Sequence, residues 1–174
     1  MKKVLVVVDM QKDFVTGALG SEAARAVVAP IARLLKSYRE SGWRIIHTAD
    51  THSEQEYADG ISRESVCIPQ HCIKGGEGWQ FVDELRPAPG EAVVEKPSFG
   101  SLDLAKIIGP IDRDVVIELC GGCTDICVVS NALAVRASFP DNKITVLQKL
   151  CAGTSRQAHE AALTVMRSCL IDIE

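Results

Sequence analysis

The chain has 174 residues, of which 47% are hydrophobic and 24% are charged. This composition excludes a disordered, a collagen-like or a coiled-coil protein and predicts a single domain over residues 1–174. The 19 Lys and Arg are scattered and are outnumbered by 23 Asp and Glu, giving a net charge of −4, so we expect neither nucleic acid nor an anionic membrane as a partner.

The N-terminus and the cysteines together predict a cytoplasmic location. No apolar run approaches the roughly 20 residues that cross a bilayer. The first residues imitate a signal peptide, but Asp9 interrupts the apolar run and no small-residue cleavage site follows. Seven cysteines are an odd number in a chain that is long enough to build its own core. A disulfide framework is therefore not expected, and a reducing compartment is.

Strand-like and helix-like patterns alternate along the chain. Apolar and β-branched runs predict strands at 3–8, 43–48, 91–94, 114–119 and 143–147, with a last strand at 170–173. Helical spacing of apolar residues predicts helices at 23–41, 101–108, 125–137 and 155–168. This alternation predicts an α/β fold in which a parallel sheet carries helices on both faces.

The segment 50–89 is long and polar and has no clear periodicity. A segment of this kind inside a compact domain is usually functional. In open α/β sheets the ligand lies beyond the carboxyl ends of the strands. The candidate site residues are therefore those that follow the predicted strands, namely Asp9, Asp50, Lys96 and residues 120–127.

Asp9 and Lys96 each follow a predicted strand. Asp9 comes directly after five apolar residues, where loss of solvation raises the proton affinity of a carboxylate unless a cation is near. Lys96 precedes Pro97, which forces the chain out of the sheet. We expect the two side chains to pair across neighbouring strand ends. The alternative for each is a structural role, as a turn aspartate and as a solvated lysine.

Residues 120–127, CGGCTDIC, contain three cysteines around two glycines. Cys127 falls in the first turn of a predicted helix, where the helix dipole favours a thiolate and free amides can hold an oxyanion. Two alternatives remain open: a redox pair of Cys120 and Cys123, and a cluster site that also uses Cys127. Otherwise, small buried side chains are expected for Cys67, Cys120, Cys151 and Cys169.

Asp50 and His52 have the spacing that puts two side chains on one side of an extended backbone, which suits two ligands of one cation. His71 lies further along the same segment, with Glu64 between. Two histidines with one or two carboxylates suit Zn²⁺, Fe²⁺ or Mn²⁺. His47 and His159, in contrast, are expected to face solvent.

Three motifs together resemble the isochorismatase-like cysteine hydrolases: residues 8–14 (VDMQKDF), Lys96, and residues 122–128 (GCTDICV). The resemblance runs over essentially the whole chain. It implies a six-stranded parallel sheet in an α/β/α sandwich and a catalytic triad of Asp9, Lys96 and Cys127. It also implies a cis peptide before Cys123, and an oxyanion hole formed by the amides of Cys123 and Cys127.

Within that family, Asp50-x-His52 and residues 69–75 (PQHCIKG) resemble the metal motif of the nicotinamidases. The resemblance implies a small amide as substrate, one divalent ion, with zinc first among the candidates, and a homo-oligomer. Glu64 matches a further metal ligand of some members. Phe14 and Phe99 are the expected pocket aromatics. Ile68 and Leu102 depart from the pattern, because aromatic residues are frequent at both positions and the one at position 68 walls the substrate ring.

Overall fold

The computed structural model describes residues 2–174 and contains a six-stranded parallel sheet. The strand order is β3-β2-β1-β4-β5-β6. The strands are β1 (Lys3–Val8), β2 (Arg44–Asp50), β3 (Ala92–Lys96), β4 (Val116–Gly122), β5 (Ile144–Ala152) and β6 (Asp172–Ile173).

The described residues form seven α-helices. They are α1 (Lys12–Val15), α2 (Glu22–Glu40), α3 (Glu54–Asp59), α4 (Arg63–Cys67), α5 (Asp103–Ile108), α6 (Val129–Ser138) and α7 (Arg156–Ser168). A 3₁₀ turn spans Asp83–Leu85 and a π-helical turn spans Thr124–Val128. Helix α2 packs on one face of the sheet, while α5, α6 and α7 pack beside one another on the other face. The three-layer α/β/α fold is therefore as predicted.

The core sits around β1, which lies between β2 and β4 at the centre of the sheet. Val6 pairs with Ile46 on one side and with Leu119 on the other, and all three side chains have no exposed surface. A strand covered on both faces is a near-continuous apolar run, which explains why the pattern VLVVV was recognisable in the sequence.

All six predicted strands are confirmed, but several extend further than the apolar runs. Strands β2, β3 and β4 include Asp50, Lys96 and Gly122 as their last residues. Strand β5 continues five residues past its predicted end, with a register shift in its pairing with β4. Helices α1, α3 and α4 were not predicted, because each has six residues or fewer, too few for a periodic pattern.

The strand order reverses between β1 and β4, and this point positions the candidate site. Gly121, on β4, lies beside Val8 at the end of β1 and has φ of +120°. A Cβ atom at position 121 would overlap with the Val8 backbone, so only glycine allows this close approach. Within the described part of the chain, no helix combines the length and the apolar character that a membrane crossing requires.

Candidate active site

Asp9 leaves β1 in a left-handed backbone conformation, with φ of 48°, and its side chain is fully buried. Its Oδ1 accepts a 2.6 Å hydrogen bond from the hydroxyl of Thr48 on β2. Its Oδ2 lies 2.7 Å from Nζ of Lys96. The carboxylate is thus held between two strands that neighbour each other in the sheet, with a cation beside it.

Lys96 is the last residue of β3, and its ammonium group contacts four different groups. Besides Asp9, it donates to Oδ1 of Asp50 at 3.1 Å and to the carbonyl oxygen of Ser98 at 2.9 Å. It also lies 3.7 Å from Sγ of Cys127. The predicted pairing of Lys96 with Asp9 is present, but it does not join neighbouring strands as expected, because β2 lies between β1 and β3. The cation also reaches the cysteine.

Cys127 lies on the π-helical turn that follows β4, and Cys123 is the N-cap residue of that turn. The cis peptide that the resemblance implies is present between Gly122 and Cys123. Burial and the nearby Asp9 carboxylate raise the pKa of the Cys127 thiol well above its usual value, although Lys96 acts in the opposite direction. These effects favour the neutral thiol, in the opposite direction to the helix dipole.

Burial also controls the ionisation of the neighbouring groups. It raises the pKa of Asp9, helped by the Asp50 charge and opposed by Lys96. A carboxylate with a raised pKa accepts a proton more readily, which suits a base. Burial lowers the pKa of Lys96, but the charges of Asp9, Cys127 and Asp50 raise it by more, so the net shift is upward. The lysine therefore stays a cation.

A second group of side chains adjoins this cation. One ligand atom from each of four buried residues lies within 4.8 Å of the others: Asp50, His52, Glu64 and His71. Oδ2 of Asp50 is 3.2 Å from Nε2 of His52 and 3.1 Å from Nε2 of His71. Oε1 of Glu64 is 3.5 Å from both of these nitrogens. Among residues 2–174 this is the one such group of histidine, cysteine and acidic side chains.

The donor set fits a divalent ion. Nδ1 of His71 is 2.7 Å from the carbonyl oxygen of Pro69, an acceptor, so the Nδ1 proton is donated there, and Nε2 is the nitrogen that binds an ion once it has lost its own proton. The Tyr57 hydroxyl also lies 2.8 Å from Nδ1. Burial lowers the pKa of both imidazoles, but hydrogen bonds to Asp50 and Glu64 raise it to about 10 for His52 and about 9 for His71. The two carboxylates thus favour positive charge at this point, and two nitrogens with two oxygens suit Zn²⁺, Fe²⁺ or Mn²⁺.

A cavity of about 420 Å³ opens onto both groups. This volume lies in the range of small-molecule sites. Its walls are mainly apolar, and the three predicted pocket residues are among them. The lining consists of Phe14, Leu19, Gly20, Ser21, Asp50, Glu64, Ile68, His71, Phe99, Cys123, Ile126, Cys127, Gly153 and Thr154. Leu102, in contrast, is 85% exposed and does not line the cavity.

The sequence did not predict the role of two positioning residues, Gln11 and Thr48. Gln11 is fully buried, and its side chain bonds both backbone groups of Asp50: Oε1 accepts from the amide at 2.8 Å, and Nε2 donates to the carbonyl at 2.9 Å. Thr48 holds Asp9, as described above. Gln11 belongs to the motif of residues 8–14, but nothing in the sequence says which backbone it holds.

Predictions about four single residues were wrong or only partly right. His47 does not face solvent: it is fully buried on β2, with Nε2 2.9 Å from Oε2 of Glu91. His159 is half-buried and contacts the Thr124 hydroxyl at 2.9 Å. Cys67 is exposed rather than buried, because it lies at the end of the short surface helix α4. Cys169 is half-buried, whereas Cys120 and Cys151 are buried as expected.

The redox and cluster alternatives find no support. Cys120 is fully buried within β4, whereas Cys123 is half-buried and lines the cavity. The two thiols therefore do not share one exposed site. No cysteine belongs to the metal-binding group found among the described residues.

The chain is similar to known proteins over nearly its whole length. The sequence-family model of the isochorismatase domain matches residues 3–173. An uncharacterized isochorismatase family protein, PncA, of Bacillus subtilis is 30% identical and aligns over 94% of this chain and 93% of its own. A crystal structure of the nicotinamidase/pyrazinamidase PncA from Bacillus subtilis superposes with a TM-score of 0.84, at 28% identity and 99% coverage of both chains. The pyrazinamidase of Pyrococcus horikoshii in complex with zinc gives a TM-score of 0.83, at 26% identity, covering 100% of this chain and 99% of that one.

Proposed function

This chain belongs to the isochorismatase family and is a hydrolytic amidase, and from that premise we propose that it hydrolyses nicotinamide to nicotinate and ammonia. The observation that carries the proposal is the position of Lys96, which contacts Asp9, Asp50 and Sγ of Cys127 together. This contact joins a cysteine nucleophile with its base to a group of metal-binding side chains. Both open into one cavity of suitable size.

The substrate is a small, neutral, ring-containing amide. Phe14, Phe99 and Ile68 supply apolar walls for a ring, and the carboxylates of Asp50 and Glu64 disfavour an anionic substrate. When bound, a divalent ion, with zinc the first candidate, would be held by Asp50, His52, Glu64 and His71 and would supply a Lewis acid toward the pyridine nitrogen.

Cys127 begins the reaction as a thiol, so it needs a base. Asp9 takes the thiol proton as the sulfur attacks the carboxamide carbon, and Lys96 stabilises both the carboxylate and the developing thiolate. The backbone amides of Cys123 and Cys127 hold the oxyanion that forms. Asp9 then gives its proton to the nitrogen, the C–N bond breaks, and ammonia leaves a thioester on Cys127.

Water completes the turnover. Asp9, now a carboxylate again, takes a proton from a water molecule as its oxygen attacks the thioester carbon. The C–S bond breaks, the proton passes from Asp9 back to the sulfur of Cys127, and nicotinic acid is released and loses its proton to solvent as nicotinate. One water is consumed for each ammonia formed, and Asp9 and Cys127 return to their starting protonation states.

A second candidate substrate is another small amide, a ureide or a carbamoyl compound. The observation that favours it is Ile68, which lines the cavity at a position where an aromatic wall is frequent in nicotinamidases. An aliphatic side chain contacts a ring less specifically than an aromatic one.

We also keep as predictions a cytoplasmic location and a homo-oligomeric state.

The experiment that tests the proposal is an ammonia-release assay with a matched pair of amides. Benzamide has the shape of nicotinamide but lacks the ring nitrogen. We expect nicotinamide to be the better substrate by about 100-fold or more in kcat/KM. Benzamide has no ring nitrogen and so leaves the metal-binding group without its partner. Equal rates for the two amides would contradict recognition of the ring nitrogen, and exclusive activity on ureides would favour the second candidate.

A further inference from the structure

Helix α3 lies directly behind the metal-binding group. The side chain of His52 is fully buried, and its two ring nitrogens have different partners. Nε2 faces Asp50 and Glu64, while Nδ1 lies 3.1 Å from Oε2 of Glu56 on α3. Because a carboxylate only accepts, the Nδ1 proton points at Glu56, and Nε2 is the nitrogen that binds an ion once it has lost its own proton.

The other oxygen of Glu56 has a partner of its own. Oε1 accepts a 2.8 Å hydrogen bond from the hydroxyl of Ser62, which is the N-cap residue of α4. Helix α4 carries Glu64, another member of the metal-binding group. One carboxylate therefore links the histidine that follows β2 to the start of the helix that supplies a carboxylate ligand.

We propose that Glu56 is a positioning residue for the metal centre, which orients His52, strengthens its Nε2 as a ligand and fixes α4 relative to it. This inference rests on the proposed metal site. The two histidines differ in this respect, because Nδ1 of His71 is held by a backbone carbonyl that substitution of the side chain leaves in place. The Tyr57 hydroxyl, 2.8 Å from the same nitrogen, adds a second contact for His71, whereas Nδ1 of His52 relies on the Glu56 side chain.

The variant Glu56→Gln tests the role with little change of shape. A glutamine has one accepting oxygen, so it cannot accept both from the His52 ring and from the Ser62 hydroxyl at separate atoms, and it carries no charge. Glu54→Gln is the matched control, because Glu54 lies in the same first turn of α3 and is exposed. It removes the same charge from the helix N-terminus without touching a histidine.

The measurement is the Zn²⁺ affinity of metal-free protein, obtained by competition with a chromophoric chelator. We expect Glu56→Gln to weaken binding about 10- to 100-fold and Glu54→Gln to leave it unchanged. The thermal midpoint of the metal-free protein should fall only slightly in Glu56→Gln, through its weakened contacts with Ser62 and His52, and excess Zn²⁺ should restore the ammonia-release rate of this variant.

Three outcomes would overturn the inference. Zn²⁺ affinity equal to that of the wild type would leave the proposed metal site intact and remove the role of Glu56. A lower thermal midpoint for metal-free Glu56→Gln, with a rate that excess Zn²⁺ does not restore, would show a purely structural role. Absence of Zn²⁺ binding by the wild-type protein would overturn the inference together with the proposed metal site.

Discussion

Lys96 donates a 3.1 Å hydrogen bond to Oδ1 of Asp50, while Oδ2 of the same carboxylate faces the two histidines. The residues are register partners at the ends of β3 and β2. Their contact ties the metal-binding group to the cation that lies beside Cys127. The two halves of the candidate site are therefore one electrostatic unit.

Removal of the Lys96 charge should destabilise the protein as well as inactivate it. In Lys96→Met, the Asp9 and Asp50 carboxylates lose a buried partner, and we expect the free energy of unfolding to fall by about 3–5 kcal/mol. Lys74→Met is the control, because the pair of Lys74 with Glu95 is exposed and should be worth about 1 kcal/mol or less. Urea denaturation of both variants measures the difference, and equal stabilities would argue against the buried unit.

Gln11 should matter for metal binding although it touches no ligand atom. Gln11→Leu leaves the Asp50 amide and carbonyl without partners, together with the Trp79 carbonyl that Nε2 also bonds at 2.8 Å. Each unpaired buried group costs about 1–3 kcal/mol. We expect lower stability and weaker Zn²⁺ binding, whereas Gln55→Leu on the exposed side of α3 should change neither. Unchanged affinity in Gln11→Leu would contradict its positioning role.

Removal of metal should stop nicotinamide hydrolysis. After treatment with a chelator and dialysis, we expect ammonia release to be lost and then restored by Zn²⁺, Mn²⁺ or Fe²⁺, because the Lewis acid that would hold the pyridine nitrogen is then missing. The added ion should also raise the thermal midpoint, since it binds the folded state. Full activity after verified metal removal would exclude a role of the ion in turnover.

The pair of His47 and Glu91 predicts a pH dependence of stability. Burial raises the pKa of Glu91, but hydrogen bonds from Arg39, the Ala88 amide and His47 lower it to about 2. A carboxyl whose pKa is lower in the folded state stabilises the protein fully above its unfolded pKa, near 4.5. This contribution should be lost between pH 4.5 and pH 2.

Glu91→Gln isolates that contribution. We expect the substitution to lower the free energy of unfolding by about 2 kcal/mol at pH 7, and the difference from the wild type to shrink as the pH falls toward 2. Glu40→Gln, in an exposed pair with Lys36, should leave stability unchanged at every pH. A difference between Glu91→Gln and the wild type that stays constant from pH 7 to pH 2.5 would contradict the lowered pKa.

The elements that sequence patterns could reveal are those with many apolar residues in a regular order. Strand β1 is such an element, and the residues that follow the strands, such as Asp9 and Lys96, could be placed at one edge of the sheet because parallel strands end there. The motifs around Asp50 and Cys127 then indicated the chemistry. Asp9, Asp50, Lys96 and Cys127 lie close together because β3, β2, β1 and β4 are consecutive strands of the sheet.

The supports of the site could not be predicted, because they depend on which backbone lies against which side chain. Glu56 is one of several acidic residues in a polar segment, and only the packing of α3 brings it to His52. His47 looked like a solvated histidine because its partner Glu91 is 44 positions away in the chain. Cys67 looked buried because a five-residue helix gives no periodic pattern from which to judge its exposed face.

The most direct measurement is the rate of ammonia release from nicotinamide by wild-type protein and by Cys127→Ala, with Cys169→Ala as the control thiol. The wild type should release ammonia and nicotinate in equal amounts, and Cys169→Ala should match it. Cys127→Ala should retain its fold and its Zn²⁺ binding but lose activity by about four orders of magnitude or more. Ammonia release by Cys127→Ala at a rate near that of the wild type would contradict the cysteine mechanism.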